Sequence, residues 1–363
     1  MFAKITMIVR TIALLTFTAF CLTGCFPTGE KSAVENAEYA ELKKRADNIN
    51  NFKLELELPE SVPESVPTVK LTMRELNVDN IYETFGDGGS VFSSEEYPSD
   101  YYEDAVYHVD KLDSEVTLIY ERGRLIMYRY LNEDDTPAAK QKHSQYTLLA
   151  GKMEQVFFDD PRATDDIEGF SKEDAMKTAN EVFQKLGITI YSDPEIFTMS
   201  TEFAADALSE FEWEPIPDAY YLIYPAVIEN IPTLSKNVDL KWTLSAAVSP
   251  IKIIVSKDGI ESFSCRHLYD NEYEKTGETP IRFSAAQALD VLVSYYEPQK
   301  LDDEVGFNSC ELVYVPTERS KDIKSVVYKP AWLFSGYKRS KYTDTSYKYE
   351  LVYADTGSRA VTG

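Results

Sequence analysis

Histidine is nearly absent, with three residues in 363, and cysteine is almost as scarce, with four. His108, His143 and His267 are not spaced as ligands on one helix or hairpin, and neither an H-E-x-x-H run nor a C-x-x-C pair occurs. The common zinc frameworks are therefore excluded, and no metal site is expected. Also missing are a G-x-S-x-G nucleophile elbow and the glycine-rich loops that cradle phosphates, so no cofactor and no catalytic residue is assigned. Basic residues are outnumbered: 37 Lys and Arg face 61 Asp and Glu, a net charge of −24. Such a surface lacks the cationic clusters that phosphate contacts need, which removes nucleic acid from the expected partners. Long apolar runs are missing too. Residues 11–22, apolar apart from three threonines, fall short of the roughly 20 residues that span a bilayer.

What precedes and follows that short run gives it a meaning. Lys4 and Arg10 stand before it with no acid between, and Leu22, Thr23, Gly24 and Cys25 follow it. A basic start, a short apolar stretch and small residues at the end form an export signal. The last four residues resemble the bacterial lipoprotein signal. That resemblance implies cleavage before Cys25, diacylation of its thiol and a membrane partner held through the lipid anchor. The expected location is the outer face of a Gram-positive cell membrane, with two acyl chains anchoring firmly. Cys21 leaves with the signal, so Cys265 and Cys310 remain. Export permits them to form one disulfide, and two buried thiols are the alternative.

Composition divides the rest. Residues 25–68 are polar and charged and end in prolines 59, 63 and 67, which reads as a lipidated, Pro-rich tether with room for a short helix at residues 37–46 that has little to pack on. About 295 residues follow, more than one core usually serves. Phe170 and Ser171, with Asp174 and Ala175, share a pattern with Phe283, Ser284, Gln287 and Ala288. Each set is a helix start, with a serine N-cap, a polar N3 partner and a phenylalanine staple. At the same offset Ala175, Met176, Ala179, Val182 and Phe183 correspond to Ala288, Leu289, Leu292, Tyr295 and Tyr296, one face of an amphipathic helix. Gly187 and Pro298 end the two helices.

Strand-like runs follow each helix: residues 220–224 and 251–255, ending at Asp258 and Gly259, and then residues 325–334 and 347–353, ending at Asp355, Thr356 and Gly357. The predicted fold class is α+β, with repeated units of one helix packed on a curved antiparallel β-sheet. Residues 165–275 and 276–363 form the two units, behind a less regular α+β domain at 69–164. In that domain Thr72 and Glu75 have capping-box spacing, residues 116–120 and 125–130 read as a hairpin around Arg122 and Gly123, and residues 86–104 read as a long loop.

The Phe-Ser helix start, the run Pro330, Ala331, Trp332 and Phe334, and the close at Asp355, Thr356 and Gly357 resemble the PepSY-type units of secreted bacterial proteins. They are also similar to extracellular regulators of cell-wall histidine kinases, and the whole chain resembles lipoproteins of Gram-positive anaerobes. The resemblance implies a non-enzymatic binding or regulatory role on another envelope protein and identifies no catalytic residue. Departures are the missing Trp after Pro225 and Ala226 and the inserted residues 229–250.

Two other classes stay open. Paired acids such as Asp134 and Asp135, Asp159 and Asp160, or Asp165 and Asp166 are the raw material of a carboxylate-dependent hydrolase of cell-wall polymer or glycan. A solute-binding lipoprotein fits less well, because those chains alternate strand and helix around a cleft. Among the 25 tyrosines, the pairs at 101–102, 220–221 and 295–296 suit either packing or a stacking surface. Trp332 and Phe334 read as interaction aromatics in a groove or, more simply, as core.

Overall fold

The computed structural model describes residues 33–360 apart from residues 60–61, 76, 87–88, 100–105, 113–115, 122–123, 130–136, 157–160, 210–214, 237, 239, 241–249, 266–267 and 321–323. Among the described residues no helix is long and apolar enough to cross a membrane. The structure is α+β, with large antiparallel sheets.

The chain opens with α1 (Ala33–Asp47), β1 (Phe52–Leu54), β2 (Ser65–Met73), α2 (Val78–Phe85), β3 (Val91–Pro98) and β4 (Val106–Leu112). A hairpin, β5 (Val116–Glu121) with β6 (Arg124–Arg129), leads to α3 (Pro137–Gln155), α4 (Lys172–Lys185), β7 (Glu195–Met199), α5 (Thr201–Ala207) and β8 (Ala219–Tyr224). The short strands β9 (Val227–Ile228) and β10 (Ile231–Pro232) follow, then β11 (Ile251–Ser256), β12 (Gly259–Cys265) and β13 (Tyr269–Pro280). Helix α6 (Ala285–Tyr296) and the strands β14 (Glu304–Arg319), β15 (Ser325–Arg339) and β16 (Ser346–Tyr353) complete it.

Two sheets organise these elements. The first has eight strands in the order β3-β4-β5-β6-β12-β11-β8-β7. Strict alternation along β8 sends Tyr220, Leu222 and Tyr224 to one face, against Ala175, Ala179, Val182 and Phe183 of α4, while Tyr221 and Ile223 join α3 and α5 on the other. The second has six strands, β1-β14-β15-β2-β13 with β16 on β15, all antiparallel except β1 against β14. Trp332 and Phe334 face α6 and α1, and Ala331 and Leu333 face the opposite way, against Leu234, Val238 and Leu240.

Both helix starts have the expected chemistry. Ser171 and Asp174, and Ser284 and Gln287, form reciprocal capping boxes. Above α4 the Phe170 carbonyl accepts from the Tyr220 hydroxyl at 3.0 Å, and above α6 the Phe283 carbonyl accepts from Trp332 Nε1 at 2.8 Å. Helix α4 closes with Gly187 at φ 64° and an Ile188 N–H bond to the Phe183 carbonyl, a Schellman end. Gly357, at φ 68°, lies so close to the Phe283 ring that a Cβ there would meet the ring at 2.3 Å, so the turn after β16 needs glycine on two counts.

Several expectations are corrected. The segment read as a tether contains α1, β1 and the start of β2: Leu42, Ala46, Ile49, Phe52, Leu54 and Leu56 are buried in the core under α6. Apolar residues at that spacing bind a long helix and two strands to the second sheet, and the prolines do not prevent this. Pro67 sits where β2 has a partner only in β13, before residues 69–72 pair with β15. Thr72 lies in β2, whose alternation of buried Val69, Leu71 and Met73 outweighs the capping spacing, and the next helix is capped by Asn77 instead. The stretch read as a long loop contains β3.

The sheets also cross the sequence boundaries. β6 pairs with β12, joining residues 69–164 to the following unit, and β13 leaves that unit to pair with β2 in the second sheet. Cys265 and Cys310 are buried in two different cores and are not joined to each other, which agrees with the second of the two readings. Burial pushes the Cys310 thiol well above its ordinary value.

Candidate binding cleft

The expected interaction aromatics do not form a site. Trp332 and Phe334 are 0 % exposed and belong to the core beneath α6. Tyr220 and Tyr221 are buried on opposite faces of β8, and Tyr296 is buried with its hydroxyl on Glu350 at 2.9 Å. Tyr295 is 42 % exposed, with the Arg359 guanidinium over one face of its ring. Leu22, Thr23, Gly24 and Cys25 lie outside the described residues, as do Tyr101, Tyr102, His267 and the acid pairs at 134–135 and 159–160. Asp165 and Asp166 are exposed, and Asp166 pairs with Lys172. His108 stacks on Tyr120 beside Glu96. Among the described residues no group of three or more His, Cys, Asp or Glu is placed to hold a metal ion.

A cleft of about 390 Å³ opens instead at the junction of the two sheets. Sequence reasoning missed it, because its residues come from segments far apart in the chain. One wall is the extended segment 188–191 after the glycine end of α4. Tyr191 is 65 % exposed at the rim. The floor is the path from Tyr224 through residues 225–228, where the chain leaves the first sheet, together with Ile251 and Cys265. Across from it stand Leu71, Tyr269, Tyr273 and Tyr328 of the second sheet.

The polar groups of the cleft are mostly paired. Tyr328 donates to the Tyr269 hydroxyl at 3.2 Å, with the rings edge to face at 6.1 Å. Glu229 and Asn230 form the two-residue turn between β9 and β10, both at positive φ (51° and 64°), as a type I′ turn requires. Asparagine tolerates that conformation, whereas glutamate adopts it at a cost. Glu229 is held there by Lys275 Nζ at 2.7 Å and by the Tyr273 hydroxyl. These contacts hold its carboxyl below the usual range, Lys275 first and Tyr273 second.

Tyr224 is the exception. Its ring packs edge to face on Phe183 at 5.0 Å, and its hydroxyl is buried with no hydrogen-bond partner among the described residues. Burial, reinforced by the nearby Asp193 charge, pushes this phenol well above its ordinary value, so it stays protonated at physiological pH. A buried hydroxyl without a partner costs roughly 1–3 kcal/mol.

No family model matches the chain, and no curated protein matches it. Among solved structures, a domain of the Bacillus megaterium protein YpeB, its C-terminal domain, aligns over 79 % of this chain and 97 % of its own at 12 % identity, with a TM-score of 0.30. An uncharacterised protein from Eubacterium rectale aligns over 88 % of this chain and 98 % of its own at 14 % identity, with a TM-score of 0.63. In fold, this chain is similar to the Eubacterium rectale protein over most of the length of both.

Proposed function

We propose that this chain is a non-enzymatic binding module of the bacterial cell envelope, lipid-anchored at Cys25, which engages another envelope protein through the cleft between its sheets. The observation that carries this reading is a cleft of ligand-binding size, about 390 Å³, at the junction of the two sheets, with Tyr191 exposed at its rim. The PepSY-type, repeated-unit interpretation is supported by the shared capping boxes. It is also supported by the matching aromatic hydrogen bonds to the carbonyls of Phe170 and Phe283, with Tyr220 in the first unit standing where Trp332 stands in the second.

The test is photo-crosslinking in native cells, with the crosslinker at Tyr191 on the cleft rim and, as a control, at Tyr342, which is 92 % exposed. The reading expects one envelope protein captured from Tyr191 and not from Tyr342, and release of the protein into the medium by Cys25→Ala. Equal capture from both positions, or capture of wall polymer alone, contradicts it.

A further inference from the structure

We infer that the cleft takes a short segment of the partner protein in which apolar side chains stand next to a lysine or arginine. This rests on the cleft being the binding site and adds the chemistry of its occupant.

The interior calls for the apolar part. Leu71, Ile188, Ile190, Ile228, Ile251 and Leu268 line it, with the rings of Tyr269, Tyr273 and Tyr328 on one side. A dry cavity of about 150 Å³ lined by aliphatic chains already holds benzene, so a cleft of about 390 Å³ admits two side chains of that size.

The rim calls for the cation. Among the described residues no lysine, arginine or histidine lines the cleft, whereas Glu229 and Asp270 do, and both are exposed. Asp193 is a third exposed acid. It follows Ser192, whose hydroxyl donates to the Pro225 carbonyl of the floor at 3.0 Å, and its charge acts on the buried Tyr224 phenol. This rim already holds one ammonium group, Lys275 Nζ, at 2.7 Å from Glu229. Asp193 and Asp270 have no ion-pair partner among the described residues, which leaves two carboxylates for an incoming cation.

Other occupants use only part of these features. A fatty acid or an anionic headgroup is opposed by the carboxylates, and a free cation would lose its water among the aliphatic walls. A sugar brings many hydroxyls that such walls leave unpaired, and a neutral apolar molecule leaves the rim unused. A polypeptide supplies both parts a few ångströms apart, since consecutive Cα atoms are about 3.8 Å from each other. Its apolar side chains supply affinity and its exposed charge supplies specificity and salt dependence.

The test titrates the purified full chain, by ligand-detected NMR, with acetyl-Lys-Leu-Phe-Leu-Lys-amide and with the same peptide carrying Glu at both ends. Acetyl-Lys-Ser-Ser-Ser-Lys-amide and toluene complete the probes. The Lys-flanked apolar peptide should bind most tightly, ahead of the Glu-flanked one by about 10-fold at low salt, and the serine peptide should not bind. Asp270→Asn and Asp193→Asn should each weaken the Lys-flanked peptide by about 2- to 5-fold, the worth of one exposed ion pair. That loss should vanish at ~1 M salt, where screening is complete within about 3 Å. Glu168→Gln removes an exposed acid at the opposite end of α4 and should change nothing. Tyr191→Ala, at an exposed position that the fold does not need, should weaken the same peptide at every salt concentration.

Equal binding of the Lys- and Glu-flanked peptides, or toluene binding as tightly as the Lys-flanked peptide, overturns the inference and leaves an apolar site indifferent to charge. An equal loss in Glu168→Gln and Asp270→Asn also overturns it, because the attraction then comes from the net charge of the chain. So does failure of the Lys-flanked peptide to bind. Selective capture through Tyr191 beside any of these results keeps the binding-site reading and discards this occupant, whereas equal capture from Tyr191 and Tyr342 with no peptide bound removes both.

Discussion

Helices α4 and α6 start with the same capping chemistry and end differently packed. Helix α4 buries Ala175, Ala179, Val182 and Phe183, one stripe against one sheet face. Helix α6 buries seven residues, adding Ala286 and Val293 to the stripe that faces the second sheet. The extra residues share a side with Asp290, Ser294 and Glu297, which are bound by Arg45 of α1. A helix apolar on two sides needs two covers, and the second cover is α1, from the segment that composition alone assigns to a tether.

The largest way to break this comparison is at the shared floor of α6 and its sheet. Trp332→Ala empties a fully buried site and removes the donor to the Phe283 carbonyl, so an unfolding cost of ~3–5 kcal/mol is expected by denaturant titration. A loss below about 1 kcal/mol would mean that this core is not packed as described. Next comes the cover itself: Leu42→Ala should cost roughly 2–4 kcal/mol if α1 is part of the core, and nothing if it is a tether.

The caps sharpen the comparison on a smaller scale. Ser171→Ala and Ser284→Ala should each cost about 1 kcal/mol, but their pH dependence should differ. The Ser171 hydroxyl and backbone N–H hold the Asp174 carboxyl below its ordinary value. The stability from this contact is fully present above the unfolded aspartate value of about 4 and is lost as pH falls through the lower folded value. Gln287 does not titrate, so acid should loosen the start of α4 and spare that of α6, as read from amide exchange at the two helix ends.

Arg45→Ala should have the smallest effect, below about 1 kcal/mol and shrinking with added salt, because its ion pairs are partly exposed. A larger, salt-independent loss would show that α1 depends on that clamp and not on Leu42 and Ala46.

Local chemistry was legible in the sequence wherever it was decided locally. The serine caps, the glycine end at Gly187, the turn at Gly357 and the alternation along β8, β11 and β16 all depend on neighbours within a few residues. Pairing between distant segments was not. Nothing in residues 269–280 announces that they join β2, and nothing in the prolines near residue 63 announces a strand between β13 and β15, because register there is set by tertiary packing. The cleft was illegible for the same reason, since its walls meet only after both sheets form. One missed signal was present all the same. The run Ala285–Tyr296 has apolar residues around most of its circumference, which calls for an additional partner that a single sheet does not supply.

The most direct measurement of this account is native-state amide hydrogen exchange across residues 33–58. The fold expects slow exchange in the interior of α1 and at Glu55, whose N–H is bonded to the Phe307 carbonyl. Exchange at the rate of a free chain throughout that segment would return it to a tether, detach the cover from α6 and contradict the structure at its central point.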